Sequence, residues 1–144
     1  MELTRILIGD RELPIRIDLN VLEQIEERYE TKEKFEQELL GWRFKRNEEG
    51  KYERKADGSI AIEYVKPSLK ALIFILPRMI NEGLKAEAYD NGGMFEPLEA
   101  DWIIAACELD RNYLYQIIVN ELRRCESVKK DMPGKAINKK NSSR

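Results

Sequence analysis

The stretch from Leu69 to Leu84 constrains the fold more than any other part of the chain. Set at about 100° per residue, it gathers Leu69, Leu72, Ile73, Ile75, Leu76, Met79, Ile80 and Leu84 on one broad apolar half. A helix this one-sided has to lie against a core, and Pro67 with the N-cap candidate Ser68 marks its start. Lys70, Arg78, Asn81 and Lys85 mark the opposite side, with Phe74 among them. Pro77 falls on the polar flank, removes the hydrogen bond to Ile73, and is expected to kink the helix toward the core. The longest strongly apolar run, Ala71 to Leu76, ends at that proline, far short of the roughly 20 residues that cross a bilayer. No membrane span is expected.

Upstream, the period is two. Leu3, Arg5 and Leu7, then Leu13, Ile15, Ile17 and Leu19, occupy alternate positions around the turn signal Gly9, Asp10, Arg11, which reads as a β-hairpin. Pro14 sits early in the second strand, where a missing N–H is tolerated on an edge. Asn20 with Glu23 has capping-box spacing before Val21, Leu22, Ile25 and Tyr29, predicting a helix over about residues 21–30. Thr31 caps a second short helix carrying Phe35, Leu39 and Leu40, which Gly41 stops.

Residues 42–66 change character. Trp42, Phe44 and Tyr52 alternate with charge, Gly50 and Gly58 mark two turns, and Ile60, Ile62 and Tyr64 alternate again, so a β excursion is expected. Its middle, Arg43 to Arg54, interleaves Glu48, Glu49 and Glu53, and reads as a solvated surface or as a nucleic-acid patch. No repeat is evident.

Beyond the loop Asp90, Asn91, Gly92, Gly93, the residues Glu96, Pro97, Glu99 and Asp101 suit a helix start ahead of Trp102, Ile103, Ala106 and Cys107. Asp110 caps a last helix over 111–128. There Tyr113, Leu114, Tyr115, Ile117, Ile118, Val119, Leu122 and Cys125 span roughly 240°, with Arg111 inside the arc and Glu121 at its edge. One neighbour cannot cover so wide a face. Either the helix packs on two sides, or part of the arc is a binding surface. Residues 129–144 set six cations against Asp131, a charge of +5 that leaves −7 on the rest of a chain of net charge −2. Poor in apolar residues, they are expected to be a disordered basic tail.

The whole is thus an α+β, mainly helical single domain over residues 1–128, with an N-terminal β-hairpin, the 42–66 excursion and the tail 129–144. At 144 residues it is long enough to bury a core without disulfide or metal. Cys107 and Cys125 have no metal-ligand spacing and read as buried free thiols, in keeping with a reducing cytoplasm. The opening MELTRILIGD lacks the basic start and apolar stretch of a signal peptide, so a cytoplasmic protein is expected.

The chain contains no histidine. That removes the commonest general base, the commonest zinc ligand and the Ser/His and Cys/His pairs. Adjacent acids such as Glu26 and Glu27, or Glu48 and Glu49, point to different sides of a helix and cannot share a substrate. No enzyme, cofactor, metal or small-molecule substrate is expected, and the working parts of the protein are taken to be apolar surface and charge.

A short hairpin with a small turn (Ile6, Leu7, Ile8, Gly9, Asp10) followed by a capped amphipathic helix (Asn20, Val21, Leu22, Glu23, Gln24, Ile25, Glu26, Glu27) resembles the tail assembly chaperones of long-tailed bacteriophages and prophages. The excursion, the Leu69 to Ile80 helix, the glycine loop and the two closing helices from Pro97 extend the resemblance over about residues 2–127. The resemblance implies a protein of the bacterial host cytoplasm that binds the tape-measure protein, keeps it soluble and extended, and surrenders it as tail-tube protein polymerises. Phe74, Tyr115 and Val119 are the candidate partner-binding residues, each with a core role as the alternative. The resemblance also implies a frameshifted longer product, for which an adenine-rich slippery heptamer encoding Lys139, Lys140 and Asn141 is the candidate site. The competing readings are another phage or mobile-element structural or tail-completion protein, or a small nucleic-acid-binding regulatory module. The wide arc of the last helix and the opening edge strand leave self-association open.

Overall fold

The computed structural model describes residues 2–130, with side chains through Glu126. The expected tail lies outside the described residues except for Lys129 and Lys130, whose backbone continues the last helix. The fold is α+β: five helices and two small antiparallel sheets among the described residues.

β1 (Thr4–Ile8) and β2 (Arg11–Ile15) form the opening hairpin, with Ile8 opposite Arg11 across Gly9 and Asp10. Gly9 takes φ 64 at the first loop position, as a type II′ turn requires. The Ile8–Arg11, Ile6–Leu13 and Thr4–Ile15 pairs then occupy bonded positions of the ladder, which leaves Arg5–Pro14 at a non-bonded one. The missing N–H of Pro14 therefore costs the sheet nothing, even though Pro14 is the fourth residue of its strand. Ile6, Ile8, Leu13 and Ile15 point into the core. Leu7, expected on the patterned face, points outward and is 52% exposed.

α1 (Leu19–Tyr29) is capped by Asp18, whose carboxylate accepts from the amides of Asn20 (3.0 Å) and Val21 (3.3 Å). The expected cap, Asn20, lies inside the helix and donates its side-chain amide to Glu82 at 3.0 Å. α2 (Lys32–Leu40) begins and ends as the sequence predicts. Thr31 Oγ1 accepts from the Lys34 amide at 3.0 Å, and Gly41 closes the helix in the left-handed region at φ 81.

α3 (Leu69–Asp90) is the core helix, capped by Ser68 Oγ on the Ala71 amide at 3.1 Å and longer than expected at its C-terminal end. It crosses β2 with backbones almost in contact. The Arg16 amide donates to the Met79 carbonyl at 2.9 Å, and a Cβ at Gly83 would collide with the Pro14 carbonyl and stand 2.8 Å from the Ile15 nitrogen. Pro77, assigned to the polar flank, is buried, because α3 has neighbours on more than its apolar half. α4 (Ala100–Ala106) buries Ile103, and the loop before it is pinned by a two-way amide pair between Asn81 and Leu98 (2.8 and 3.0 Å). α5 (Arg111–Lys130) starts at Asp110, which accepts from the Asn112 and Tyr113 amides.

Two charged clusters fasten α5 to the rest. Glu121, 5% exposed, accepts from the Ile17 amide at 3.3 Å, while Arg124 donates to the Ile17 carbonyl at 2.9 Å. Glu36, also buried, receives Arg123 at 2.7 and 3.2 Å and Lys32 at 3.4 Å, and Lys32 reaches Glu126 at 2.8 Å. Burial works against the charge on Lys32, but the hydrogen bond to Glu126 and the field of Glu36 outweigh it and raise its pKa. The wide arc of α5 is thus covered from two sides over its C-terminal half.

The 42–66 segment pairs β3 (Trp42–Phe44) with β4 (Ile62–Tyr64) and adds isolated bridges Arg46–Tyr52 and Arg54–Ile60. Contrary to the sequence reading, it is built on a repeat of eight residues. Phe44, Tyr52 and Ile60 correspond, as do Arg46 and Arg54, and Gly50 and Gly58. In each of the first two units the arginine Nη1 donates to the carbonyl of its own glycine, at 2.7 and 2.9 Å, and that glycine has φ 81 or 89. The three units close into a ring: Lys45 donates its amide to Ala61 (2.9 Å), Ala61 to Glu53 (2.8 Å) and Glu53 to Lys45 (2.9 Å). Strand edges that would otherwise be open are satisfied around this ring. A narrow neck joins it to the body, where Val65 donates to the Gly41 carbonyl at 2.9 Å and a Cβ at Gly41 would stand 2.8 Å from Pro67 N.

Candidate functional site

The three residues proposed from the sequence do not form one surface. Phe74 belongs to the core: it is 6% exposed, meets Tyr29 and Phe35 at ring-centroid distances of 5.4 and 6.3 Å, and lies under Arg78 at 4.1 Å. Its assignment to a binding groove is corrected on that ground. The helical wheel sets it among polar residues because Arg78 and Lys70 flank it, but the flank itself is covered by α1 and α2. There Tyr29, Phe35 and Phe74 make an aromatic cluster topped by guanidinium groups. Burial pushes the Tyr29 hydroxyl above its ordinary pKa, with Glu38 adding to it. Tyr115 and Val119 are half-buried on one flank of α5, and the Tyr115 hydroxyl accepts from Arg111 at 2.9 and 3.2 Å.

Open apolar surface lies one turn away, at the start of α3. Leu69 and Ile73, placed by periodicity on the core half, are 50% and 42% exposed. With Leu72 and Leu76 they follow the i, i+3, i+4, i+7 spacing of a helical seam and form one wall of an open groove of about 230 Å³. Ile104, Cys107, Leu109 and Leu114 form the other wall, and Arg111 is the charged residue of the lining. Sequence reasoning missed this site because the first turns of a capped helix look like the rest of its stripe. Leu69 and Ile73 lie in the first two turns of α3, where Ala71, Leu72 and Phe74 are buried and the side toward the groove is open. Cys125 is buried as expected, whereas Cys107 lines the groove half-buried, and the two form no disulfide.

A second cleft is polar, lined by Arg16, Asp18, Asn20, Glu82, Lys85 and Tyr89 among others. Burial holds the Glu82 carboxyl above the ordinary range, the neighbouring Asp18 raises it further, and the Asn20 amide opposes both. Among the described residues no cluster of three carboxylates or thiols is placed to hold a metal ion, and no helix is long and apolar enough to cross a membrane. No family model, curated protein or solved structure matches the chain.

Proposed function

We propose that the chain is a non-catalytic tail assembly chaperone of a long-tailed bacteriophage or prophage, which binds the tape-measure protein transiently and keeps it soluble until tail-tube protein assembles around it. The observation that carries this reading is the groove between α3, α4 and α5. Its seam of Leu69, Leu72, Ile73 and Leu76 has the spacing with which one helix receives another, and its length along α3 suits about two turns of an amphipathic partner. A tape-measure chain, a long helix former with apolar stripes, presents such turns repeatedly. A short groove with one charged lining residue gives the modest affinity that a chaperone displaced by polymerisation needs.

The test is co-expression with the large coiled-coil protein of the same gene cluster. The partner is expected to become soluble and to co-purify, and Leu69→Asp or Ile73→Asp, both at exposed positions, to weaken capture at least about thirtyfold, the equivalent of about 2 kcal/mol. Undiminished capture by the folded Ile73→Asp variant would overturn the groove, and failure of the wild-type chain to solubilise the partner would overturn the function. Tyr115→Ser, through its contact with Arg111, is expected to weaken capture less than Ile73→Asp does.

A further inference from the structure

The eight-residue repeat gives the 42–66 ring two chemically different faces. Side chains alternate along each segment, and cross-strand partners share a face. Phe44, Arg46, Tyr52, Arg54, Ile62 and Tyr64 therefore fall on one side. Aromatic contacts trace that side: Phe44 meets Tyr52 at 5.8 Å, and the Arg46 guanidinium lies 4.1 Å over the Tyr52 ring. The carboxylates of the paired segments, Glu53 and Glu63, each have their own cation, Lys45 at 3.8 Å and Arg43 at 2.6 Å, and the Arg43–Glu63 pair borders, with Thr31, Glu33, Lys34 and Gln37, the open cleft that Phe44, Arg46 and Tyr52 line. Arg46 and Arg54 have no carboxylate partner among the described residues, and Tyr64 is 82% exposed. Exposed tyrosines beside arginines that have no carboxylate partner are the composition of interface centres rather than of idle surface.

The same chain carries the complementary surface. On α1 and its C-cap, Leu19, Glu23, Glu26, Glu27 and Glu30 recur at i, i+4, i+7, i+8 and i+11, one stripe about 100° wide, and all are exposed. Glu30 is held by Lys34 at 2.8 Å, but Glu23, Glu26 and Glu27 have no cation partner among the described residues. Leu19, 68% exposed, supplies an apolar end to the acidic stripe.

We propose that the ring's arginine and tyrosine face docks the α1 stripe of a second copy of this chain, head to tail. Arg46 and Arg54 meet the glutamates of the stripe, and Leu19 meets the aromatic side chains. Because the two surfaces differ, a pair of copies keeps one free ring and one free stripe, so association continues into a row or ring of copies. Two arginines and a small sheet set against one helix make a contact at the weak end of specific interfaces. It depends on charge, so raising salt from about 0.05 to about 1 M, which shortens the Debye length to about 3 Å, disperses it. The contact is separate from the groove at the start of α3, so it holds whatever occupies that groove.

The experiment is sedimentation velocity on the full chain and two neutral variants, Arg46→Gln/Arg54→Gln and Glu23→Gln/Glu26→Gln/Glu27→Gln, each checked for native circular dichroism. At low salt the wild-type chain is expected to sediment faster as its concentration rises and to return to monomer in about 1 M salt. Each variant alone is expected to stay monomeric, and an equimolar mixture of the two to form a one-to-one dimer and nothing larger, because only one intact ring and one intact stripe remain. A wild-type chain that stays monomeric at every concentration overturns the proposal. So do variants that associate as the wild type does, and a mixture that stays monomeric. The α1 variant leaves the ring's arginine to glycine bonds intact, so the test survives if the ring variant misfolds.

Discussion

Gly83 in the body stands where two backbones touch, whereas Gly50 and Gly58 in the 42–66 ring stand where the chain turns through open solvent. A side chain at Gly83 would drive α3 off β2, but nothing lies within 4 Å of a Cβ built at Gly50 or Gly58. The body is held by non-local apolar packing, with Ile8, Ile15, Ile17, Val21, Ile25, Phe35, Leu39, Met79 and Ile118 all fully buried. The ring is held by hydrogen bonds within and between eight-residue units, and its side chains are mostly exposed. Stability is therefore expected to reside in the body, and the ring to be an appendage that can vary or act without endangering it.

The most severe way to probe this contrast is a pair of matched substitutions. Gly83→Ala forces the helix and hairpin apart and is expected to lower stability by about 3 kcal/mol, the upper range for overpacking, because the atoms it meets are backbone. Gly50→Ala meets no atom and bears only the left-handed conformation, about 1 kcal/mol, confined to the ring. Urea titration followed by far-ultraviolet circular dichroism, which reports the helices, reads the first as a shifted midpoint and the second as almost none. Equal shifts would mean that ring and body unfold as one unit.

Removing the ring sharpens the same point with a smaller expected effect. Arg43 and Glu63 face each other one bonded position beyond the neck, so Asn-Gly in place of residues 44–62 gives a two-residue hairpin. Body stability is expected to change by less than about 1 kcal/mol in the same titration, and head-to-tail association to disappear. A body that fails to fold without the ring would refute the division.

The contrast also explains what can be read from the sequence. Helix starts at Thr31, Ser68 and Asp110 are legible because a cap is a contact between residues two or three apart. The cap of α1 is displaced by two positions from the sequence expectation because Asp18 and Asn20 are both capping residues. The choice between them is made by Glu82, which is 62 positions from Asn20 and takes its amide. Phe74 misleads for a similar reason: a helical wheel ranks polarity but does not know that α1 and α2 bring Tyr29 and Phe35 to its polar flank. Glu121 looks like an edge residue, and its burial depends on the Ile17 amide 104 positions away. The repeat escapes notice because its third unit has Ile62 and Lys66 where the others have arginine and glycine. Only closure of the ring makes the three units equivalent. Of the residues that periodicity sets on the core half of α3, Leu72 and Leu76 are buried as expected, whereas Leu69 and Ile73 border the open groove, because which part of a broad stripe is covered depends on neighbours distant in sequence.

The smallest expected effect belongs to Glu82, in the polar cleft beside the neutral packing of the body. Its folded-state pKa is raised above the ordinary 4.5 by burial first and by Asp18 second. A carboxyl of this kind holds its proton in the folded chain over a range of pH in which the unfolded chain has already released it. Stability therefore falls as pH rises from the unfolded value through the folded one, and is recovered below it. Above that window Glu82 is a charged group, 7% exposed, stabilised by Asn20 at 3.0 Å and Lys85 at 3.3 Å but still desolvated. Glu82→Gln keeps an oxygen for the Asn20 amide and removes the charge. It is expected to raise the urea midpoint slightly at about pH 7 and to lose that advantage as the pH is brought below the ordinary glutamate range. An advantage that persisted unchanged into acid would mean that Glu82 acts through shape and hydrogen bonding, and that the cleft carries no electrostatic cost. A Glu82→Gln variant less stable than wild type at neutral pH would mean instead that the ion pair with Lys85, one turn along the same helix, together with the charge-assisted bond from Asn20, outweighs the desolvation.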